Sequence, residues 1–192
     1  GNMQCGMASI AGAVRQIQID GGKISCRTIG DERPAGICGS GYIEGISEIL
    51  SHGLMDETGY MEKEITVCGQ VRITPADIRN FQLAKSAIRS GINILCRRAG
   101  SDFSSIDKVY ISGGFGRASK LACLANLKII PEEFAGKTEL LGNTALDGAI
   151  RLLLTDSDEG RELMSRVKAM CRTVDLASDP DFNEEYMKNM WF

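Results

Sequence analysis

The sequence predicts an α/β domain in which helices pack on a mixed sheet. Three observations carry that expectation. Two strand-like runs near the N-terminus are joined by Asp20-Gly21-Gly22, and a helix-forming stretch runs unbroken from Thr74 to Arg98. Twice, at Gly36-Ile37-Cys38-Gly39-Ser40-Gly41 and at Ser112-Gly113-Gly114-Phe115-Gly116, a glycine-rich turn opens a helix.

Alternation of apolar and polar residues places strands at 13–19 and 23–29, with the Gly-Gly turn making them a hairpin. After Asp31-Glu32-Arg33-Pro34, the apolar residues Ile43, Ile46, Ile49 and Leu50 recur at helical spacing until Gly53 stops the helix. Residues 65–73 read as one edge strand. Thr74-Pro75-Ala76-Asp77 then starts a helix: Thr74 caps, Pro75 takes the first turn and Asp77 complements the dipole. This helix, about 36 Å long at 1.5 Å per residue, has an apolar stripe of Ile78, Phe81, Ala84, Ile88, Ile92 and Leu95 expected to face the core. Gln82, Lys85 and Arg89 follow along its border. Its two cations lie one turn apart, so that either both are solvated or an anion lies near.

The apolar run Val109-Tyr110-Ile111 reads as the strand before the second glycine-rich turn. A short helix through Leu121 and Leu124, a strand at 127–130 and a helix from Thr144 to Leu154 follow. An acidic turn at 156–160, a helix at 161–171, a strand at 173–176 and a final helix opening at Asp179-Pro180 complete the reading.

The 192 residues carry a net charge of -3, with 43% hydrophobic and 24% charged residues. A chain of this size can bury roughly 70% of its unfolded surface, and it lacks the basic surplus that attracts nucleic acid or anionic lipid. The longest apolar run, Ala149 to Leu154, is interrupted by Arg151 and too short to cross a bilayer. No nucleic-acid or membrane partner is expected, and the expected location is the cytoplasm. Seven cysteines are scattered without metal-ligand spacing and read as reduced, mostly buried thiols. The single histidine, His52, lies at a helix end, where contact with the last carbonyls is expected. No metal site is expected, and no catalytic residue can be assigned.

Glycine-rich turns that open helices suit nucleotide binding, because glycine lets main-chain N–H groups approach a ligand and the helix start favours anionic groups. The Gly113–Gly116 turn is neither a dinucleotide fingerprint, since the third glycine position is Ser119, nor a P-loop, since no Gly-Lys-Ser/Thr follows. A purely structural turn explains the Gly113–Gly116 segment equally well on its own. Two glycine-rich helix entries are better explained by loops converging on a ligand, with Ser40 as a simple helix cap the alternative. Ser40 is not a hydrolase elbow, because Cys38 and Tyr42 stand where glycines are required.

Cys5-Gly6-Met7-Ala8, Gly36-Ile37-Cys38-Gly39-Ser40-Gly41, Asp77-Ile78-Arg79 with Gln82-Leu83-Ala84-Lys85, and Ser112-Gly113-Gly114-Phe115-Gly116 together resemble the C-terminal domain of the reductive activators of corrinoid proteins. Leu141-Gly142-Asn143, Gly148-Ala149, Asp181-Phe182, Met187 and Met190 extend the resemblance over nearly the whole chain. It implies the actin, sugar-kinase and heat-shock-chaperone fold, related to ribonuclease H. It also implies ATP-driven reduction of cob(II)amide to cob(I)amide in methyl-transfer metabolism. ATP with Mg2+ and an iron-sulfur cluster would be the cofactors, and a corrinoid protein the partner.

The Asp-x-Gly-Thr phosphate loops and the cysteine-rich ferredoxin segment are missing from the sequence, so residues 1–192 read as a single subdomain, the adenosine-side half of the ATPase, truncated on its N-terminal side. The resemblance implies that Gly113, Gly114, Phe115 and Gly116 line the adenine and ribose pocket. Gln82 and Lys85 would approach the nucleoside or α-phosphate, with Gly39, Ser40 and Gly41 on the opposite wall. Catalysis by this piece alone is not expected, because phosphoryl transfer depends on positioning and charge neutralisation. A sugar or carboxylate kinase of the same fold and a non-catalytic module, such as a homodimerisation domain, remain as alternatives.

Overall fold

The computed structural model describes residues 2–113 and 120–192. The N-terminal hairpin forms as the sequence reads it: β1 (Ala13–Asp20) pairs antiparallel with β2 (Lys23–Thr28). β3 (Gly36–Ile37) joins the free edge of β1 in parallel, giving the order β2-β1-β3. Beyond it, Ile37 N–H donates to the Cys5 carbonyl at 2.7 Å and Met7 N–H to the Ile37 carbonyl at 3.0 Å, so the Cys5–Met7 segment closes that edge. β1 buries Val14, Ile17 and Ile19, an odd spacing followed by an even one. A bulge between Val14 and Gln16 supplies the extra residue that resets the alternation.

Helix α1 (Gly39–Ser51) lies across β1 and buries Ile43, Ile46 and Ile49 with Val14, Ile17 and Ile37. The approach is close at Gly41, where a Cβ would stand 2.2 Å from the Val14 carbonyl oxygen and 2.9 Å from Ile37 Cγ2. At the other end, His52 Nδ1 lies 2.9 Å from the Glu48 carbonyl oxygen, the helix-end contact expected of it.

Residues 65–73 are two strands, not one. β4 (Ile65–Cys68) and β5 (Val71–Ile73) form an antiparallel hairpin around Gly69 and Gln70. Helix α2 (Pro75–Arg98) has the expected limits. Asp77 does more at its start than complement the dipole. It completes a capping box with Thr74, whose N–H donates to Asp77 Oδ2 at 3.0 Å, and its Oδ1 accepts from Gln4 N–H at 2.6 Å.

The buried face of α2 differs from the predicted one. Ile78 and Phe81 are buried, but Ala84, Ile88 and Leu95 are exposed, and the interior face continues through Gln82, Lys85, Ser86, Ser90 and Gly91. The reason lies in what covers it. Helix α6 (Phe182–Lys188) and residues 189–192 pack there and present main-chain carbonyls, which a face rich in donors satisfies and an apolar face could not.

In the second half, β6 (Val109–Ile111) and β7 (Thr138–Leu140) form a parallel pair. Between them, α3 (Leu121–Asn126) ends in a buried turn over 127–130 where a strand was expected, and Lys128 has φ +53°. α4 (Thr144–Leu154) is capped by Asn143, whose Oδ1 accepts from Leu146 N–H at 3.1 Å, so the cap sits one residue before the predicted Thr144. The predicted acidic turn is the first turn of α5 (Ser157–Met170), capped by Asp156. Residues 173–176 are not a strand.

Gly41→Ala should force β1 and α1 apart and destabilise the domain by about 2–4 kcal/mol, read as a lowered urea midpoint at unchanged m-value. A wild-type midpoint would overturn the packing account.

Candidate functional site

Parallel strands gather their carboxyl ends on one side, where connecting loops form a crevice. Here β6 runs into Ser112-Gly113 and β7 into Leu141-Gly142-Asn143. The two segments are joined: Leu141 N–H donates to the Ile111 carbonyl at 2.8 Å, and Gly113 N–H to the Gly142 carbonyl at 3.0 Å. Gly113 has φ +87°, a conformation that side-chain-bearing residues rarely adopt. The start of α4 stands at this crest behind its Asn143 cap. Gly114, Phe115 and Gly116 lie outside the described residues.

The chain from Lys120 onward is fastened to α1. Lys120 pairs with Glu44, and the bond to that carboxylate holds the ammonium above its ordinary pKa. Asn126 Nδ2 donates to Ser47 Oγ at 2.8 Å and to Ser51 Oγ at 3.1 Å. Lys120 and α3 therefore stand beside α1, the helix that begins at Gly39-Ser40-Gly41. Ser40 is not the cap. Cys38 takes that position, and its thiol sits 3.2 Å from Ser40 Oγ and 3.3 Å from the Val14 carbonyl oxygen.

Gln82 and Lys85 stand in a different setting. Gln82 Nε2 donates to the carbonyls of Thr58 at 2.8 Å and Met190 at 2.9 Å, and the side chain is 2% exposed. Lys85, also 2% exposed, donates to the Trp191 carbonyl and lies 4.9 Å from the centroid of the Phe192 ring. Burial first, then the Lys128 and Arg89 charges, lower its pKa to about 8. Arg89 donates to Asn93 Oδ1 at 3.1 Å and lies over the Phe103 ring. The two cations are thus not jointly solvated: Lys85 is buried, and the carboxylates of Glu133, Glu185 and Glu132 act on Arg89. Among the described residues no hydrogen bond joins Gln82 or Lys85 to Gly113 or to Gly39–Gly41.

Sequence reasoning missed Lys120, Glu44 and Lys128, whose partners are remote along the chain and which no local pattern singles out. Gly142 and Asn143 were visible only through the resemblance. Among the described residues, no group of three or more His, Cys, Asp or Glu side chains could hold a metal ion, and no helix is long and apolar enough to cross a membrane.

A solved structure of a reductive activator for corrinoid, iron-sulfur protein superposes on the whole chain with a TM-score of 0.90 at 25% identity, the chain covering 34% of that protein. The fold is therefore that of the actin-like ATPase class. A family model for the C-terminal domain of RACo, the ASKHA domain, matches residues 1–192, and the chain belongs to that family. A corrinoid activation enzyme of Eubacterium limosum, RamQ, is 27% identical over 97% of the chain and 36% of its own length. The chain thus spans about a third of the length of these relatives.

The Lys85 environment predicts a pH signature. The ammonium is disfavoured in the folded state, so its burial penalty is complete below pH 8 and is relieved as pH rises from about 8 toward the ordinary lysine value of 10.5. Across that interval Lys85 should make unfolding free energy climb by up to roughly 3 kcal/mol. Lys85→Met should flatten the climb in urea titrations taken at successive pH values. Parallel wild-type and variant curves would refute it.

Proposed function

We propose that this chain is the adenosine-side subdomain of an ATP-dependent reductive activator that returns the cob(II)amide of a corrinoid protein to cob(I)amide. The observation that carries the reading is the junction of Gly113 and Gly142 at the carboxyl ends of β6 and β7, in a chain of the RACo C-terminal family. The names of the relatives, both corrinoid activators, support the partner class. The full protein would act in the cytoplasm, in one-carbon metabolism.

The residues present suit the nucleoside end of ATP better than its phosphates. A positive-φ glycine beside a second glycine leaves the main chain open to a flat base and a ribose, with Asn143 and the start of α4 adjoining. Gly113 with Gly114, Phe115 and Gly116 would form one wall, and Gly39, Ser40 and Gly41 the facing one across the Lys120–Glu44 tether. Gln82 and Lys85 would act from behind, by holding residues 190–192 in place, since their donors are already engaged there. Phosphoryl transfer needs charge neutralisation by metal and phosphate-binding loops. Those, and the iron-sulfur cluster that delivers the electron, would come from the remainder of the polypeptide.

Calorimetry with ATP, alongside the absorbance change of cob(II)amide reduction, tests this on the full-length protein. Gly113→Val puts a β-branched residue at φ +87°, a strain of about 1–3 kcal/mol, and should weaken ATP binding by at least about tenfold while reduction slows. Unchanged ATP affinity in a folded variant would sink the site. Failure of the wild-type protein to accelerate corrinoid reduction would sink the function.

A further inference from the structure

Helix α4 buries none of its residues, and α5 buries only Gly160. Both are amphipathic. On α4 the exposed residues Leu146, Ile150, Leu153 and Leu154 recur at the spacing of one helix face, and on α5 so do Leu163, Met164, Val167 and Met170. Leu153 is 83% exposed. Helices of 11 and 14 residues are marginal in water by themselves, so faces this open need a cover for the helices to hold.

The strands that lead to α4 are also incomplete. Among the described residues β6 and β7 form a two-stranded sheet, and Tyr110 at the centre of β6 is 55% exposed. Parallel strands occur almost only where both faces are covered.

We propose that the apolar face of α4 and α5, with the exposed face of β6, is the docking surface for the polypeptide upstream of this chain in the full-length activator. This rests on the reading of the chain as the C-terminal part of such a protein. Two observations select that occupant over a second copy or a separate protein. About two thirds of each relative lies outside the match, and the family model that matches is a C-terminal domain, so the missing mass is on the N-terminal side. In addition, α4 starts at the Gly113–Gly142 crest, which phosphate-binding loops have to reach from outside this chain. A body that delivers loops to the crest lies against the helix that leaves it. The surface it meets also sets its chemistry. A cavity of about 450 Å3 is lined by Leu152, Gly160 and Met164, with Arg161 and Lys168 among the other lining residues. The covering surface therefore brings aliphatic side chains flanked by carboxylates.

Benzoylphenylalanine placed at Leu153, and separately at Met170, in the full-length protein tests this by photo-cross-linking. A mixture of unlabelled and isotope-labelled protein separates links within one molecule from links between two. The expected links join both positions to upstream peptides of the same molecule. Links between two molecules, links confined to residues 1–192, or no links at either position would overturn the surface. Leu153→Asp should speed amide hydrogen exchange across 144–170 by at least about tenfold while α1 keeps its protection; unchanged exchange would also overturn it. Should that variant fail to fold, the Met170 cross-link still decides. Neither readout involves nucleotide. A protein that forms the links without binding ATP keeps the surface and loses the function, and one that reduces cob(II)amide without them does the reverse.

Discussion

The fold depends on how the polar face of α2 is satisfied. Gln82, Lys85 and Ser86 are all almost wholly buried and donate to main-chain carbonyls of Thr58, Met190, Trp191 and Tyr186. Each such donor left unpaired in the interior would cost about 1–3 kcal/mol, so the helix and the segment that covers it are ordered together or not at all. The stack of Phe81 on Phe192, with ring centroids 6.2 Å apart, supplies the apolar part of the same contact. At the far end of α2, Arg97 pairs with Asp181 and Glu185, and Arg98 with Asp179. Those arginines are about half exposed, and exposed pairs contribute about 1 kcal/mol or less each, so they orient α6 more than they hold it.

The same contact explains what could be read from the sequence and what could not. The limits of α2 were legible because Thr74, Pro75, Asp77 and Gly100 are local signals. Its buried face was legible only in part, at Ile78, Phe81 and Ile92. A donor-rich stripe reads as solvated unless the acceptors are known, and all of these but Thr58 lie about a hundred positions away, at 186–191. The 127–130 segment failed for a related reason. Leu127, Ile129 and Ile130 are apolar enough for a strand, but Leu127 N–H closes onto Cys123 and Ile129 N–H onto Leu124, so the run is the buried end of α3. β7 was missed because Thr-Glu-Leu is too short to show a period.

At the candidate site the glycines were legible and their partners were not. A turn that opens a helix announces itself locally, whereas the Gly113–Gly142 bond depends on two strands coming to lie side by side. The resemblance drew Leu141-Gly142-Asn143 into view, but the pairing of β6 with β7 gives these residues a physical reason to meet Gly113. Gly41 carries the opposite lesson: close packing on β1 accounts for it whatever binds nearby.

The bulge in β1 has a consequence for how this strand can change over time. Its single supernumerary residue lets Val14 share an inward face with Ile17 and Ile19. Excising Gln18 from the regularly paired run beyond the bulge would leave every oily side chain in the polypeptide and still turn part of the strand inside out. Along this stretch, replacement of outward residues is tolerable where a change of length is not, and lineages descended from this molecule should diverge there by substitution while holding the spacing constant.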